Sequence, residues 1–311
     1  MNAERPMIYQ HPLAYLVGLE GIALLRAWAG DFDEAFVHER LAEVRRLLDD
    51  EALSGAGAGV WVRRGDTETA YRQWADGYDA QMRYEEEFGG GMFAGAEIVI
   101  REILDARPAG VALDAACGTG RVAQYLHARG HHVVGIDSSP DMLAVARKRL
   151  PDADFREGVL EDLPLPDASV DVAVTMLALC HVPDLDTVMA QFARVLRPGG
   201  DLLISDMHAE QVFRGSVVKA LGPGGEPGLV ATYRLQPGDY LRAALAAGLR
   251  VRRCEEPASM AGAESAPVPE PAADPGPWDD WPWSLADLIP AATRAAWRTP
   301  ATIVWHFQRE A

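Results

Sequence analysis

The stretch Val111-Ala-Leu-Asp-Ala-Ala-Cys-Gly-Thr-Gly120 reads as an apolar strand running into a glycine turn, with a helix starting at Arg121. Gly118 and Gly120 permit positive φ and a close approach of backbone to ligand. The helix start beyond them offers N–H groups and the positive end of a dipole to an anionic group. A second apolar strand, His132-Val-Val-Gly-Ile-Asp137, ends in an acid 17 residues after Gly120. A carboxylate at a strand tip can accept both hydroxyl protons of a ribose. Together the loop and Asp137 read as a nucleoside-binding site.

Outward from this stretch the pattern continues as alternating strands and helices. A helix over 96–106 precedes strand 111–116. Helix 121–129, strand 132–137, helix 140–149 and strand 153–156 follow. Then come strand 170–176, helix 185–196, strand 201–206, helix 237–247, strand 249–255 and a closing strand 301–308. Such alternation means parallel βαβ crossovers. The fold class is therefore α/β, a Rossmann-like doubly wound sheet of seven mostly parallel strands with helices on both faces. Residues 1–66 form an N-terminal helical extension, with helices over about 12–29 and from Asp31 to about 49. The segment 54–59 reads as a flexible linker. A further helix spans about 67–87 and carries Tyr71, Trp74, Tyr78 and Tyr84. Residues 257–300 form a Pro/Trp-rich insert before the last strand, with 262–277 read as disordered. The core is thus 67–256 plus 301–311.

The 311 residues carry 29 Lys+Arg against 46 Asp+Glu, a net charge of −17. This excess acid argues against nucleic acid and against an anionic membrane surface as partners. Only two of the basic residues, Lys148 and Lys219, are lysines, which reads as coding bias. Cys117, Cys180 and Cys254 are far apart and form neither a disulfide framework nor a metal-ligand spacing, as expected of a reducing cytoplasm. The first residues lack a signal-peptide pattern, and the apolar stretch Leu13 to Trp28 is too short to span a bilayer.

Gly118-Thr-Gly120-Arg-Val-Ala123 also satisfies a loose dinucleotide fingerprint, so a nicotinamide enzyme stays open. Two features weigh against it. Asp114 at the strand end suits an amino group better than a phosphate. No Tyr-x-x-x-Lys pair exists, since Ala144 precedes Lys148 and Gly215 precedes Lys219 by four.

The chain resembles the class I S-adenosylmethionine-dependent methyltransferases of ubiquinone/menaquinone biosynthesis and bacterial natural-product tailoring. The resemblance rests on LDAACGTGR (113–121), GIDSSPDML (135–143), LEDLPLPDASVDV (160–172), LALCHVPD (177–184) and VLRPGGDLLISD (195–206), in that order. It implies S-adenosyl-L-methionine as cofactor and a small-molecule acceptor methylated on O, N or C. By this resemblance Asp114 and the loop Ala116, Cys117, Gly118 and Gly120 hold the methionine end. Asp137 binds the ribose, and Ser138, Met142 and Met176 flank the cofactor. The thioether of Met142 suits an aromatic base, although plain helix core is the competing reading. The chain departs from the family at Val159, where an acid usually meets the adenine amino group; adenine then depends on backbone at Val159 and Leu160, or on Glu161 or Asp162. It departs again at Ala116, usually glycine. Tyr78-Asp79 resembles the segment that lies across the cofactor. An aromatic ring beside a sulfonium is favourable, while Tyr71 and Trp74 on the same helix face read as core.

A sulfonium is an activated methyl donor, so alignment and water exclusion are the main requirements. A base is needed only when the nucleophile must lose a proton. His181 and His208, each just after a strand's carboxyl end, are the candidates, with Asp206 behind them; Cys180 beside His181 reads as structural. The four tryptophans of the insert read either as a substrate wall or as docking rings. The N-terminal helices suit a lid or a homodimer contact. A protein that binds S-adenosylmethionine without methylating remains the alternative function.

Overall fold

The computed structural model describes residues 7–55, 57–75, 78–79, 94–222, 224–257, 267–297 and 299–311. The end of the expected helix over 67–87, with Tyr84, lies outside the described residues, as does part of 262–277. Eleven strands occur among the described residues: β1 (Ile8–Gln10), β2 (Val60–Gly65), β3 (Val111–Ala115), β4 (His132–Asp137), β5 (Asp154–Glu157), β6 (Val170–Met176), β7 (Leu196–Met207), β8 (Lys219–Leu221), β9 (Pro227–Val230), β10 (Leu249–Glu255) and β11 (Thr302–Arg309). The chain divides into two compact units.

The larger unit comprises Asp66–Val212, Thr232–Ser259 and Pro300–Ala311. Its sheet has the order β10-β11-β7-β6-β3-β4-β5. From β7 to β5 all neighbours are parallel, whereas β11 runs antiparallel to both β7 and β10. The seven expected strands are all present. Their period-two alternation feeds two cores. Leu113, Ile136, Ala173, Leu202, Ile204 and Phe307 point to one face, under helices Leu185–Val195 and Pro237–Ala246. Ala112, Val133, Val172, Val174 and Leu203 point to the other, under helices Ala94–Asp105, Arg121–Ala128 and Pro140–Arg149. Strand side chains alternate between faces, so apolar residues at successive positions mark strands covered on both sides. β7 begins at Leu196 rather than at 201. Its pairing with β6 jumps from Val170↔Leu196 to Val172↔Asp201, so Arg197–Gly200 bulge out of the ladder, with Gly199 at φ 77.

The smaller unit comprises Met1–Gly65, Phe213–Ala231 and Met260–Thr299. It joins the N-terminal segment and the insert, and it takes in Phe213–Ala231 from within the stretch 67–256. It is not purely helical. Besides helices Pro12–Trp28 and Glu34–Asp49 it holds a four-stranded sheet of order β1-β2-β9-β8. Pro12 opens the first helix at a position where its missing N–H costs nothing. Asp33 caps the second by accepting from Phe36 N at 3.0 Å. Leu16, Leu19, Leu47 and Val62 form its core together with Trp278, Trp281 and Ile289 from the insert. Trp278 and Trp281 are buried, and Trp278 Nε1 donates to Gln10 Oε1 at 2.7 Å. These two rings therefore dock the insert within its own unit. No helix among the described residues is long and apolar enough to cross a membrane.

Candidate functional site

In a doubly wound sheet, ligands bind beyond the carboxyl ends of the strands where strand order reverses. Here β3 lies between β4 and β6, so that point is the loop after β3. Ala116, Gly118 and Gly120 in this loop adopt φ of 56°, 52° and 78°. Two cavities, of about 150 and 230 Å3, open beside it and share Tyr78, Ala116, Gly118, Met176 and Leu177 as walls. They are two lobes of one cleft.

The first lobe holds Asp114 and Cys117, with Glu97 and Arg121 on its outer side. Asp114 is buried at the end of β3 and its Oδ2 accepts from Ala123 N at 2.7 Å. Burial pushes its carboxyl up to about 7, against the pull of that N–H. The first-turn N–H expected to meet a ligand anion is thus satisfied by the protein's own carboxylate. Burial also raises the Cys117 thiol, so it is wall and not nucleophile.

The second lobe holds Asp137, Ser138, Met142, Val159, Leu160 and Glu161, and beyond them Thr67, Glu68, Tyr71 and His181. Asp137 accepts from Gly118 N through Oδ2 at 2.7 Å and from Ser139 N through Oδ1 at 2.8 Å. Burial raises its carboxyl, and backbone N–H groups of Ser139, Gly118 and Ser138 partly offset this. With about two acceptor sites on each oxygen, the three backbone N–H donors still leave acceptor capacity for a ligand hydroxyl. Val159 C=O accepts from Asp162 N at 3.2 Å, while Glu161 stands in the wall and Asp162 does not. Met142 is buried yet lines the lobe, which reconciles its two readings.

Tyr78 lines both lobes, and Asp79 beside it accepts from Thr119 Oγ1 at 2.7 Å and pairs with Arg149. That latch ties the segment to the glycine loop. Tyr71, read as core, instead faces the second lobe, and its hydroxyl lies 3.1 Å from His181 Nε2. His181 sits on the 3-10 turn Leu179–His181 directly after β6. His208 is placed differently: it is absent from both cavity walls. Its Nε2 meets Glu256 at 3.0 Å and its Nδ1 accepts from Glu210 N at 3.2 Å. A side chain committed on both nitrogens and away from the cleft holds the chain turn after β7. Sequence reasoning missed Thr67, Glu68 and Leu177. The first two open helix Thr67–Trp74 and reach the lobe only through tertiary placement, and Leu177 gives no signal except its position just past β6.

Residues 113–204 match the family described as Methyltransferase domain. A malonyl-[acyl-carrier protein] O-methyltransferase of Serratia marcescens is 33% identical over 141 residues, 45% of this chain and 52% of that protein. A demethylmenaquinone methyltransferase of Chlorobaculum parvum is 43% identical over 110 residues, 35% of this chain and 44% of that one. Over this stretch the chain is similar to methyltransferases, and the match covers less than a third of its length. The chain spans about half the length of the curated relatives it matches. The methyltransferase fold is seen again in the crystal structure of an S-adenosylmethionine-dependent methyltransferase from Mesorhizobium loti. That structure is 20% identical, with a TM-score of 0.50, over 71% of this chain and 99% of that one. S-adenosylmethionine is the cofactor that the resemblance of the 113–206 motifs implies. The residues present fit it: one buried carboxylate with acceptor capacity stands in each lobe, and a left-handed loop without obstructing side chains joins them.

Proposed function

We propose that this protein is a methyltransferase that binds S-adenosylmethionine in the two-lobed cleft and transfers its methyl group to a small-molecule nucleophile. The observation that carries the reading is the pairing of Asp137 and Asp114 on either side of the Ala116–Gly118 turn. Asp137 would accept the ribose hydroxyls. Met142, Leu160, the Val159 backbone and the Glu161 carboxylate would hold adenine. Asp114 would receive the ammonium, with Cys117 and Gly120 shaping the loop. The bound cofactor supplies an electrophilic methyl on a cationic sulfur. The chain's own part is to orient it, exclude water and present the acceptor. Tyr78 and Met176, shared by both lobes, stand where the reacting centre would lie, and an aromatic face favours the cation there. His181 is the residue best placed for proton transfer from an acceptor entering past Thr67 and Glu68.

The acidic composition suits a neutral or cationic small molecule rather than nucleic acid or membrane, and the resemblance to natural-product tailoring enzymes and the three scattered cysteines favour a role in secondary metabolism in the cytoplasm. Exposed Leu25, Trp28 and Leu48 on the N-terminal helices suit pairing of two copies, which sedimentation would register as a doubled mass. Calorimetry with S-adenosylmethionine tests the central claim. Wild type should bind, and Asp137→Ala should weaken binding by about 2–3 kcal/mol through loss of charged hydrogen bonds. Unchanged affinity would refute the site, and binding of a nicotinamide dinucleotide in its place would refute the family-level reading.

A further inference from the structure

We propose that Tyr71 and His181 form a proton relay at the acceptor side of the cleft, and that the acceptor is accordingly a hydroxyl compound whose O–H proton leaves during transfer. The inference rests on the methyltransferase reading above and deepens it.

The two side chains arrive from separate elements, helix Thr67–Trp74 and the turn after β6, and meet at 3.1 Å. Both line the lobe that contains Asp137. Neither is left to drift. The Tyr71 ring contacts Trp74, Tyr78 and His181 at centroid distances of 5.5, 6.3 and 5.8 Å. The turn carrying His181 closes through His181 N to Ala178 O at 3.1 Å and Val182 N to Leu179 O at 2.9 Å. Cys180 C=O accepts from Tyr233 N at 2.6 Å. On its inner side the Cys180 thiol meets Asp206, a buried carboxylate that also accepts from Tyr240 Oη at 3.0 Å and Met207 N at 2.8 Å. Asp206 is therefore a positioning residue for the His181 turn, walled off from the acceptor.

Tyr71 can donate to Nε2 and still offer its oxygen lone pairs to the cleft. Burial holds its phenol well above the ordinary range, so it carries its proton at neutral pH. The step balances as follows. The acceptor oxygen bonds to the methyl carbon while the C–S electron pair stays on sulfur. The acceptor proton passes to Tyr71 Oη, and the Tyr71 proton passes to His181 Nε2. The positive charge thus moves from sulfonium to imidazolium, and no other reactant is required. An ammonium acceptor would bring a second cation beside the sulfonium, and a C–H acceptor would give Tyr71 Oη no comparable hydrogen bond. A carboxylate acceptor has no proton to lose.

The test uses the full chain with 15N-labelled histidine, followed by NMR with and without S-adenosylhomocysteine. In wild type His181 should be the Nδ1–H tautomer, with Nε2 unprotonated. Tyr71→Phe should lose that preference. A protonated Nε2 in wild type, or a tautomer indifferent to Tyr71→Phe, overturns the relay. Methyl transfer is then measured with catechol as the hydroxyl probe and benzoate as the probe without a transferable proton. Label in catechol supports the inference, with Tyr71→Phe lowering kcat at least tenfold at unchanged KM for the cofactor. Label in benzoate, or wild-type kcat in Tyr71→Phe, refutes it. Absence of S-adenosylhomocysteine binding to wild type by calorimetry is a separate result, which removes the methyltransferase reading and this inference with it.

Discussion

Asp114 Oδ2 accepts the Ala123 N–H at 2.7 Å, so the final acid of β3 closes the first turn of the helix that follows the glycine loop. On the other side Asp137 at the tip of β4 accepts Gly118 N at 2.7 Å. Two strand-end carboxylates thereby grip one loop. Backbone N–H groups that would be orphaned at a helix start are satisfied from within the fold, and the carboxylates keep their remaining lone pairs for the cleft.

Asp114 should give the protein a recognisable pH dependence. Its folded-state value of about 7 lies above the ordinary 3.8. The neutral form is favoured in the fold, so the ligand-free protein should lose stability as pH rises from about 4 to about 7 and change little above that. Asp114→Asn keeps an acceptor for Ala123 and removes the charge, so thermal unfolding of the variant should show a shallower slope over that window. Affinity for the cationic cofactor should run the other way in wild type, rising with pH through about 7 as the carboxylate ionises. A flat affinity profile between pH 5.5 and 8.5 would mean that Asp114 does not receive the ammonium.

Gly118 and Gly120 should separate function from stability. Both have positive φ, but a Cβ on Gly118 would meet nothing within 4 Å, whereas one on Gly120 would come to 3.1 Å from Ala146 Cβ and 3.3 Å from Phe155 Cζ. Gly118→Ala should cost about 1–2 kcal/mol of backbone strain and abolish most cofactor affinity by filling the cleft. Gly120→Ala should cost about 2–4 kcal/mol, adding overpacking to the same strain. Urea unfolding beside calorimetry checks both, and an intact Gly118→Ala affinity would place the ligand elsewhere.

The larger unit was legible because its signals are local and repeated. Buried parallel strands such as β3 and β6 read as apolar runs, and Asp137 and Gly118 sit at fixed offsets from them. The small sheet was not legible. β1, β8 and β9 are three or four residues long, too short for a period to show, and β2 pairs with β9 across more than 160 positions. Tyr71 was invisible as a cleft residue for a different reason. An aromatic stripe at helical spacing looks the same whether it faces a core or a cavity, and only the placement of His181 distinguishes the two. His208 shows the converse: strand-end position marks a candidate, while Glu256, which engages it, arrives from β10's far end.

Ala116 stands where the family usually has glycine, and at φ 56° it carries the strain glycine would avoid. Ala116→Gly should relieve about 1–2 kcal/mol but return about 0.4–1 kcal/mol to the unfolded chain's entropy, for a net gain near ~0.5 kcal/mol. Ala116→Val should lose about 2 kcal/mol, since a β-branched residue tolerates this region poorly. Chemical denaturation of the three proteins orders them, and a destabilised Ala116→Gly would show that the methyl group packs more than it strains.

In the smaller unit, Glu20 is buried and its Oε1 accepts from Arg40 Nη1 at 2.9 Å, with Arg40 also over the Phe36 ring. Glu20 Oε2 and Arg40 Nε have no hydrogen-bond partner among the described residues. Burial pushes the Glu20 carboxyl up to about 7, from an ordinary 4.5, and Arg40 holds it from rising further. Removing only the cation strands a buried carboxylate, so Arg40→Met should cost about 3–5 kcal/mol at pH 8. Its neutral form is the one the fold prefers, so the same substitution should cost clearly less at pH 5, where Glu20 is protonated. Replacing both residues, as Glu20→Leu with Arg40→Met, should recover most of the loss at either pH, because an incompletely satisfied ion pair gives little net stability over a packed apolar pair. Urea unfolding of the single and double variants at the two pH values decides it: equal losses for Arg40→Met at pH 5 and pH 8 would show that the guanidinium acts by packing on Phe36 and not by its charge.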